Sequence, residues 1–308
     1  MRLGGRMSGA IKLADFYSAI EDTARPLDVP CSRDQVWPIL TAFGDGEDAL
    51  SQSVIAFRVA TDIGHDGELD CRFTVPKNVD PYDSALAKGL IEKTDHPVGA
   101  LLPDVQKLCP IDTYAIDFGV VGGFKKIYAF FPPDDLQDLS ELAGIPSMPR
   151  GLGEHLGLSD RYGLSNKTGC VAIDYPGRTV NIYYGETFPD GIEREVILSL
   201  LRETGQQAPS EQMLRFAQAA FGIYITLSWD SPKIKRVCFA AMTPDPMRLP
   251  IPLDPKIEGF VRHMQDTGTE GKFVCGVASS PRGEYYKLQA YYQWRPWMVD
   301  LMAHPASV

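Results

Sequence analysis

Residues 283–293 read Gly-Glu-Tyr-Tyr-Lys-Leu-Gln-Ala-Tyr-Tyr-Gln, and their character alternates at nearly every step. In an extended chain, neighbouring side chains point to opposite faces. Tyr285, Lys287, Gln289, Tyr291 and Gln293 therefore share one face, and Tyr286, Leu288, Ala290 and Tyr292 share the other. The second face can pack against another layer. The first presents an ammonium group among rings and amides. One such strand could simply face solvent, but several other stretches repeat the pattern, and the repetition constrains the fold.

The alternating runs come in pairs. They are 53–60 and 68–76; 113–121 and 124–131, linked by Gly122-Gly123; 169–175 and 178–184, linked by Pro176-Gly177; 221–229 and 234–242; and 272–279 and 284–293. Short Gly- or Pro-containing links between such runs are hairpin signals. Helical spacing recurs between the pairs: 15–24 and 32–43, then 82–90 and 98–107, 136–143 and 151–162, 191–203 and 210–220, and a single helix at 256–265. A last helix is expected at 294–303. The order is helix-helix-strand-strand, five times over, with a period of roughly 50–60 residues. Sequential hairpins build an antiparallel sheet of about ten strands, and a sheet that wide curls or closes. The expected class is α+β: a ten-stranded antiparallel β-barrel with a large lumen, ringed by α-helices. Residues 1–12 are expected to be a disordered extension, with Met7 an alternative start, and residues 13–308 a single barrel domain.

The apolar strand faces are the ones helices must cover, so the polar faces point into the lumen. In the second strand Asp70, Arg72 and Thr74 oppose Cys71, Phe73 and Val75; in the fourth, Lys126 and Tyr128 are expected to share a side with Phe124 and Phe130. Arg72, Lys126, Arg236 and Lys287 are then inward cations, with Lys233 at the turn before the eighth strand and only Asp70 and Asp174 to offset them. Buried cations without carboxylates are costly. A polyanionic ligand completes them, and a diphosphate fits. Tyr128, Tyr183, Tyr224, Tyr285 and Tyr291 accompany them, offering phenol donors and π-faces that attract a cation. Phosphate-binding cations beside aromatic rings suit an allylic diphosphate: the leaving group is stabilised electrostatically while the rings shield a carbocation.

The net charge of -10 argues against a general nucleic-acid binder, which carries a basic footprint. No apolar run approaches the ~20 residues of a membrane span. The six cysteines form no CxxC pair and read as reduced thiols of a cytoplasmic protein. Asp134-Asp135-Leu136-Gln137-Asp138 spells the DDxxD signature of chain-elongating prenyl synthases, but that motif needs an all-helical cavity; here it reads as acids at a helix start.

Five segments carry a resemblance to a known family: Asn78-Val79-Asp80-Pro81-Tyr82, Thr94-Asp95-His96-Pro97-Val98, 122–132 (Gly-Gly-Phe-Lys-Lys-Ile-Tyr-Ala-Phe-Phe-Pro), Ile145-Pro146-Ser147-Met148-Pro149, and 284–292 (Glu-Tyr-Tyr-Lys-Leu-Gln-Ala-Tyr-Tyr). From about Leu13 to Trp294 the chain resembles the bacterial ABBA-type aromatic prenyltransferases. The resemblance implies a ten-stranded barrel with the reaction inside it. It implies diphosphate ligands at Lys126, Asn181, Tyr224, Lys233, Arg236 and Lys287, of which Lys126, Tyr224, Arg236 and Lys287 are the catalytic set; the inward Arg72 is expected to bind the diphosphate with them. It implies a prenyl and aromatic pocket lined by Tyr128, Cys170, Tyr183, Gly222, Gln289 and Tyr291. Asp70 matches the acid that holds magnesium in metal-dependent members. Arg72 stands where those members carry a small hydroxyl residue, and an inward guanidinium there can do the metal's electrostatic work. No cofactor is therefore expected, with Mg2+ at Asp70 as the alternative. Gly177 stands where some members have a phosphate-binding lysine, and Gly169, Cys170, Gly222 and Gln289 depart from the family around the aromatic pocket. The segments 69–73 and 228–236 look closest to the phenazine-prenylating branch. The implied enzyme is a monomer of secondary metabolism that transfers a dimethylallyl group to an electron-rich arene, alternatively a geranyl group to a dihydroxynaphthalene. A non-enzymatic ligand-binding barrel is the reading from another class.

Overall fold

The computed structural model describes residues 11–44, 50–61, 68–185, 188, 190–243, 245–248, 255–267 and 272–295. Most of the expected extension at 1–12 and of the last helix at 294–303 lies outside them. Among the described residues eleven strands form one antiparallel sheet: β1 (Ile55–Ala60), β2 (Asp70–Pro76), β3 (Thr113–Gly119), β4 (Gly123–Phe130), β5 (Gln137–Asp138), β6 (Lys167–Asp174), β7 (Thr179–Tyr184), β8 (Gly222–Ser228), β9 (Arg236–Thr243), β10 (Phe273–Ser280) and β11 (Gly283–Gln293). Ten of them run β4-β3-β2-β1-β11-β10-β9-β8-β7-β6, and pairing of β4 with β6 closes the ring. Only the two-residue β5 stands outside the ring, on β6. The expected ten-stranded barrel is therefore present.

Ten α-helices accompany it among the described residues: α1 (Leu13–Ala24), α2 (Arg33–Phe43), α3 (Pro81–Ala87), α4 (Val98–Leu108), α5 (Leu139–Ala143), α6 (Gly151–Glu154), α7 (Leu158–Tyr162), α8 (Arg194–Glu203), α9 (Glu211–Gln218) and α10 (Pro255–Asp266). They cover the apolar outer face of the strands. Phe16 of α1 packs 6.4 Å from the Phe57 ring of β1 and 5.8 Å from the Phe73 ring of β2. Phe216 of α9 meets Tyr286 of β11 edge-on at 6.2 Å. Local chemistry sets several starts. The Asp80 carboxylate accepts from the Tyr82 and Asp83 amides at 2.9 and 3.0 Å at the start of α3, and the Ser210 hydroxyl from the Met213 amide at 3.1 Å at the start of α9.

Three expectations need correction. The single helix at 151–162 is two short ones, broken where His155, Leu156 and Gly157 intervene. The helix expected from 136 begins only at Leu139: Gln137 and Asp138 pair with β6 as β5, and Asp138, the last acid of the DDxxD segment, is the residue that precedes α5 and lies 3.8 Å from Lys167. The most consequential correction is in β4. Asp117 pairs with Lys126 but Phe118 pairs with Phe124, so Lys125 is an extra, bulged residue. The bulge turns Phe124 to the outer face, where it stacks on Phe43 at 6.0 Å and packs near Tyr175 at 6.1 Å, instead of sharing the side of Lys126. Gly123, at φ 72°, supplies the left-handed residue of the tight β3–β4 turn.

Candidate active site

The β3–β4, β6–β7, β8–β9 and β10–β11 turns lie at one end of the barrel, and the longer helical connections at the other. Inward positions near the hairpin end carry the charges. Arg58 of β1, Asp70 and Arg72 of β2, Asp117 of β3, Lys126 of β4, Asp174 of β6, Arg236 of β9 and Lys287 of β11 all follow the strand alternation. The β4 bulge adds Lys125, which would otherwise point outward.

Part of this cluster is internally paired. Arg58 lies 2.6 Å from Asp70 and 3.0 Å from Asp117, and Arg72 Nε is 2.6 Å from Asp117 Oδ1. Arg72 also donates to the Tyr128 hydroxyl, which in turn donates to Asp117 Oδ2 at 3.1 Å. Asp117 is 1% exposed. Burial alone would raise its carboxyl, but Arg58 and Arg72 outweigh burial and hold it well below the usual carboxylate range. Lys125 bridges Glu68 at 2.8 Å and Asp70 at 2.6 Å. Both Asp70 oxygens are thus engaged by cationic side chains, Oδ1 by Lys125 and Oδ2 by Arg58. Burial would raise Asp70 too, and these two partners lower it instead. A divalent ion at Asp70 would have to displace both, so the donor set does not fit a magnesium site.

The rest of the cluster is short of anions. Lys126 reaches Asp174 at 3.2 Å, yet burial, helped by Lys287, Arg58 and Arg236, pushes it down to about 8. Arg236 donates to the neutral Tyr285 hydroxyl at 2.8 Å. Lys287 sits 5.1 Å from the centre of the Tyr285 ring; burial and then Arg236 push it down to about 7. Among the described residues, the six cations Arg58, Arg72, Lys125, Lys126, Arg236 and Lys287 face four carboxylates, Glu68, Asp70, Asp117 and Asp174, leaving a net +2. An anion of two or more charges is the natural complement. Neutral donors flank it: the Asn181 amide, whose oxygen accepts from Thr226 at 2.8 Å, and the buried Ser228 hydroxyl, which has no partner among the described residues.

Aromatic rings continue from the charges toward the far end. Tyr128 stacks at 6.1 Å on Phe130 and lies 6.2 Å from Tyr183, which stacks at 4.5 Å on Tyr224. Cys170, Ala115 and Ala172 complete that wall, and Cys238, Ala278 and Tyr285 the next. Next to that wall, on the same strands, Gly222, Ala240 and Gly276 pair side by side across β8, β9 and β10, with Lys287 next in the row on β11. A Cβ added at Gly222 meets nothing within 4 Å, so the row borders open space there, whereas one at Gly276 would meet the Cys238 sulfur at 3.3 Å. Gln289 and Tyr291 line β11 beyond Lys287, 7% and 3% exposed.

The lumen therefore brings together Asp70, Arg72, Lys126, Tyr128, Cys170, Asn181, Tyr183, Gly222, Tyr224, Arg236, Lys287, Gln289 and Tyr291. Lys233 is different: it is exposed in the β8–β9 turn, at the same end but outside the paired network. Gly177 caps the β6–β7 turn, its amide donating to Asp174 at 2.7 Å. Gly169 sits at the irregular register between Thr168 and Cys170. Three residues escaped the sequence reading, namely Arg58, Asp117 and Lys125. A surface concavity of about 430 Å3 beside α1, lined by residues including Glu21, Arg25, Asp28 and Cys31, gathers no comparable set of groups.

No described helix is long and apolar enough to cross a membrane. The 5-dimethylallyltryptophan synthase of Streptomyces coelicolor superposes with a TM-score of 0.53 over 93% of this chain and 100% of that one, at 11% identity. The prenyltransferase PriB, in a ternary complex with L-tryptophan and dimethylallyl thiolodiphosphate, gives 0.53 over 96% and 99% at 12% identity. At such identities these structures speak to the barrel fold alone. Sequence relatives speak further. The chain is 51% identical to the 5,10-dihydrophenazine-1-carboxylate 9-dimethylallyltransferase of Streptomyces anulatus, over 98% of its own length and 100% of that protein's. It is 47% identical to the flaviolin linalyltransferase of Streptomyces virginiae, over 94% and 95%. A family model, aromatic prenyltransferase Orf2, matches residues 11–303. With its closed barrel, its cation-and-tyrosine lumen and these near full-length relatives, the chain belongs to the aromatic prenyltransferase Orf2 family and is a prenyltransferase.

Proposed function

We propose that this enzyme transfers a dimethylallyl group from dimethylallyl diphosphate to a carbon of an electron-rich tricyclic or bicyclic arene. The observation that carries the reading is the excess of positive charge at Lys126, Arg236 and Lys287, which share the one carboxylate Asp174, in the same lumen as the Tyr183–Tyr224 stack. The diphosphate binds these cations, with Asn181 and the Tyr224 hydroxyl as further donors. The allylic C–O bond breaks, diphosphate keeps the electron pair, and the aromatic wall stabilises the C5 cation. An arene carbon attacks, and the resulting arenium ion loses its proton to water. The 51% identical relative, named for a dihydrophenazine carboxylate acceptor and a dimethylallyl donor, favours that substrate pair over a geranyl donor.

The chain's own cations perform the work of a metal in this reading, because Asp70 is held by Arg58 and Lys125. The test is turnover of dimethylallyl diphosphate with a panel of phenols, naphthols and dihydrophenazine carboxylates, with and without EDTA. Prenylated product at an unchanged rate in EDTA is expected. Diphosphate release without a prenylated arene would overturn the acceptor reading, and loss of activity on chelation would return Asp70 to a metal.

A pH dependence follows from the two depressed lysines. An anion beside them restores their ordinary pKa, so binding takes up protons wherever they are partly neutral. Binding of inorganic diphosphate is expected to weaken as pH rises through 7 to 9, with net proton uptake near pH 8. Calorimetry in buffers of different ionisation enthalpy reads this directly. Binding that is independent of both pH and buffer would show that these lysines do not hold the ligand.

A further inference from the structure

The end of the lumen remote from the charge cluster holds an indole and an ammonium group that take no part in binding the diphosphate. Trp294, just past β11, is 7% exposed. It packs edge-on against Tyr291 at 4.7 Å, within a cluster that includes Val54, Ala56, Met242 and Val274. Its indole N–H is buried and has no acceptor among the described residues. Such a donor is satisfied in native proteins by a partner or by a ligand. Lys272 continues the inward alternation of Val274, Gly276 and Ala278 one step before β10, and its carbonyl accepts from the Tyr291 amide at 3.2 Å. Its ammonium lies 4.2 Å from the centre of the Trp294 ring. One indole thus carries a cation on its face and a free donor on its edge.

We propose that Lys272 and Trp294 bind a carboxylate of the aromatic acceptor, at the opposite end of the lumen from the diphosphate. The two anions are then held apart. Gly276, which pairs with Lys287, is four residues from Lys272 along β10, about 13 Å at the rise of a strand. The acceptor lies between the two anchors, with its carboxylate toward Trp294 and its reacting edge toward the allylic carbon. The ammonium makes the site discriminate: a neutral oxygen gains the indole hydrogen bond, and only an anion gains both. The inference rests on the proposed acceptor class, and it names the residues that read that acceptor's charge.

The test compares 1-hydroxy-2-naphthoate with 1-naphthol as acceptors for dimethylallyl diphosphate. In Lys272→Met, the KM for the naphthoate is expected to rise about tenfold or more, the usual scale of a lost charge-assisted contact. The KM for naphthol, the KM for the donor and kcat should stay within about twofold. Lys272→Arg should retain most of the naphthoate affinity. Trp294→Phe keeps a ring and deletes the donor, and should raise the naphthoate KM by about tenfold, on the order of one hydrogen bond to a charged acceptor. Equal effects on the two acceptors, or none on either, would overturn the proposal. Calorimetric binding of 1-hydroxy-2-naphthoate to wild type and Lys272→Met, with inorganic diphosphate present, keeps the question separate from turnover. Should neither acceptor be prenylated, tenfold weaker binding by the variant still supports the carboxylate site, and equal binding sinks it.

Discussion

Asp117→Asn is expected to be among the most destabilising conservative changes in this barrel. Asp117 is 1% exposed and accepts from Arg58, Arg72 and Tyr128. The amide keeps the shape of the carboxylate but removes its charge, leaving two guanidinium groups in the lumen with one fewer counter-ion. Removing one partner of a buried ion pair typically costs about 3–5 kcal/mol. A loss of that order, read as a lowered urea or thermal midpoint, is the expected result. Arg72→Met in the Asp117→Asn background should recover part of it, because the unpaired charge and not the missing carboxylate carries the penalty. A midpoint within about 1 kcal/mol of wild type would show that the lumen solvates these guanidinium groups well, as it does surface pairs. Acid should mimic the substitution. The Asp117 and Asp70 carboxyls are both held low in the folded state, so their contribution is present above the ordinary carboxylate pKa and is lost as pH falls through their depressed values.

The residues that were legible in the sequence and those that were not differ for a physical reason. Period-two alternation places Arg72, Tyr183, Arg236 and Lys287 inward without any structure, because a regular strand cannot turn them elsewhere. The same rule placed Phe124 inward and left Lys125 outside, and failed at the bulge, where one extra residue shifts the phase of everything before it. No local signal in Gly-Phe-Lys-Lys announces that bulge. Arg58 and Asp117 are another kind of miss. Arg58 alternates with Ile55, Phe57 and Val59, and Asp117 is the lone acid in a strand buried along its whole length. A charge in such a run must have a buried partner, and asking for it would have joined the two. Asp70 and Arg72 are neighbours on one face of β2, the simplest ion pair that an alternating strand offers. The barrel instead gives Asp70 to Arg58 and Lys125 and gives Arg72 to Asp117, a choice set by cross-strand register that composition does not encode. Lys233 follows the family motif into the β8–β9 turn, but its side chain is exposed there.

Lys287→Met should separate stability from function in opposite directions. Lys287 has no carboxylate partner among the ion pairs of the described lumen, and burial together with Arg236 pushes it from 10.5 down to about 7. A lysine whose folded-state pKa is depressed binds a proton more readily in the unfolded chain, so stability rises with pH between about 7 and 10.5. The penalty is complete below about 7 and gone above 10.5. Methionine fills nearly the same volume without that penalty, so the ligand-free variant is expected to be more stable than wild type at pH 7, by about 1–3 kcal/mol. The gain should shrink as pH is raised to 10. Turnover of dimethylallyl diphosphate should fall by about 10²–10³, the range for losing one electrostatic contact to the developing charge of a leaving group. Thermal midpoints at pH 6, 8 and 10, measured with and without inorganic diphosphate, test both halves. Diphosphate should stabilise wild type more than the variant, because only wild type gains the ammonium–phosphate contact on binding. A variant less stable than wild type at pH 6 would show that the ammonium already has a good partner in the free enzyme. Undiminished turnover would remove Lys287 from the leaving-group site and leave Lys126 and Arg236 to carry it.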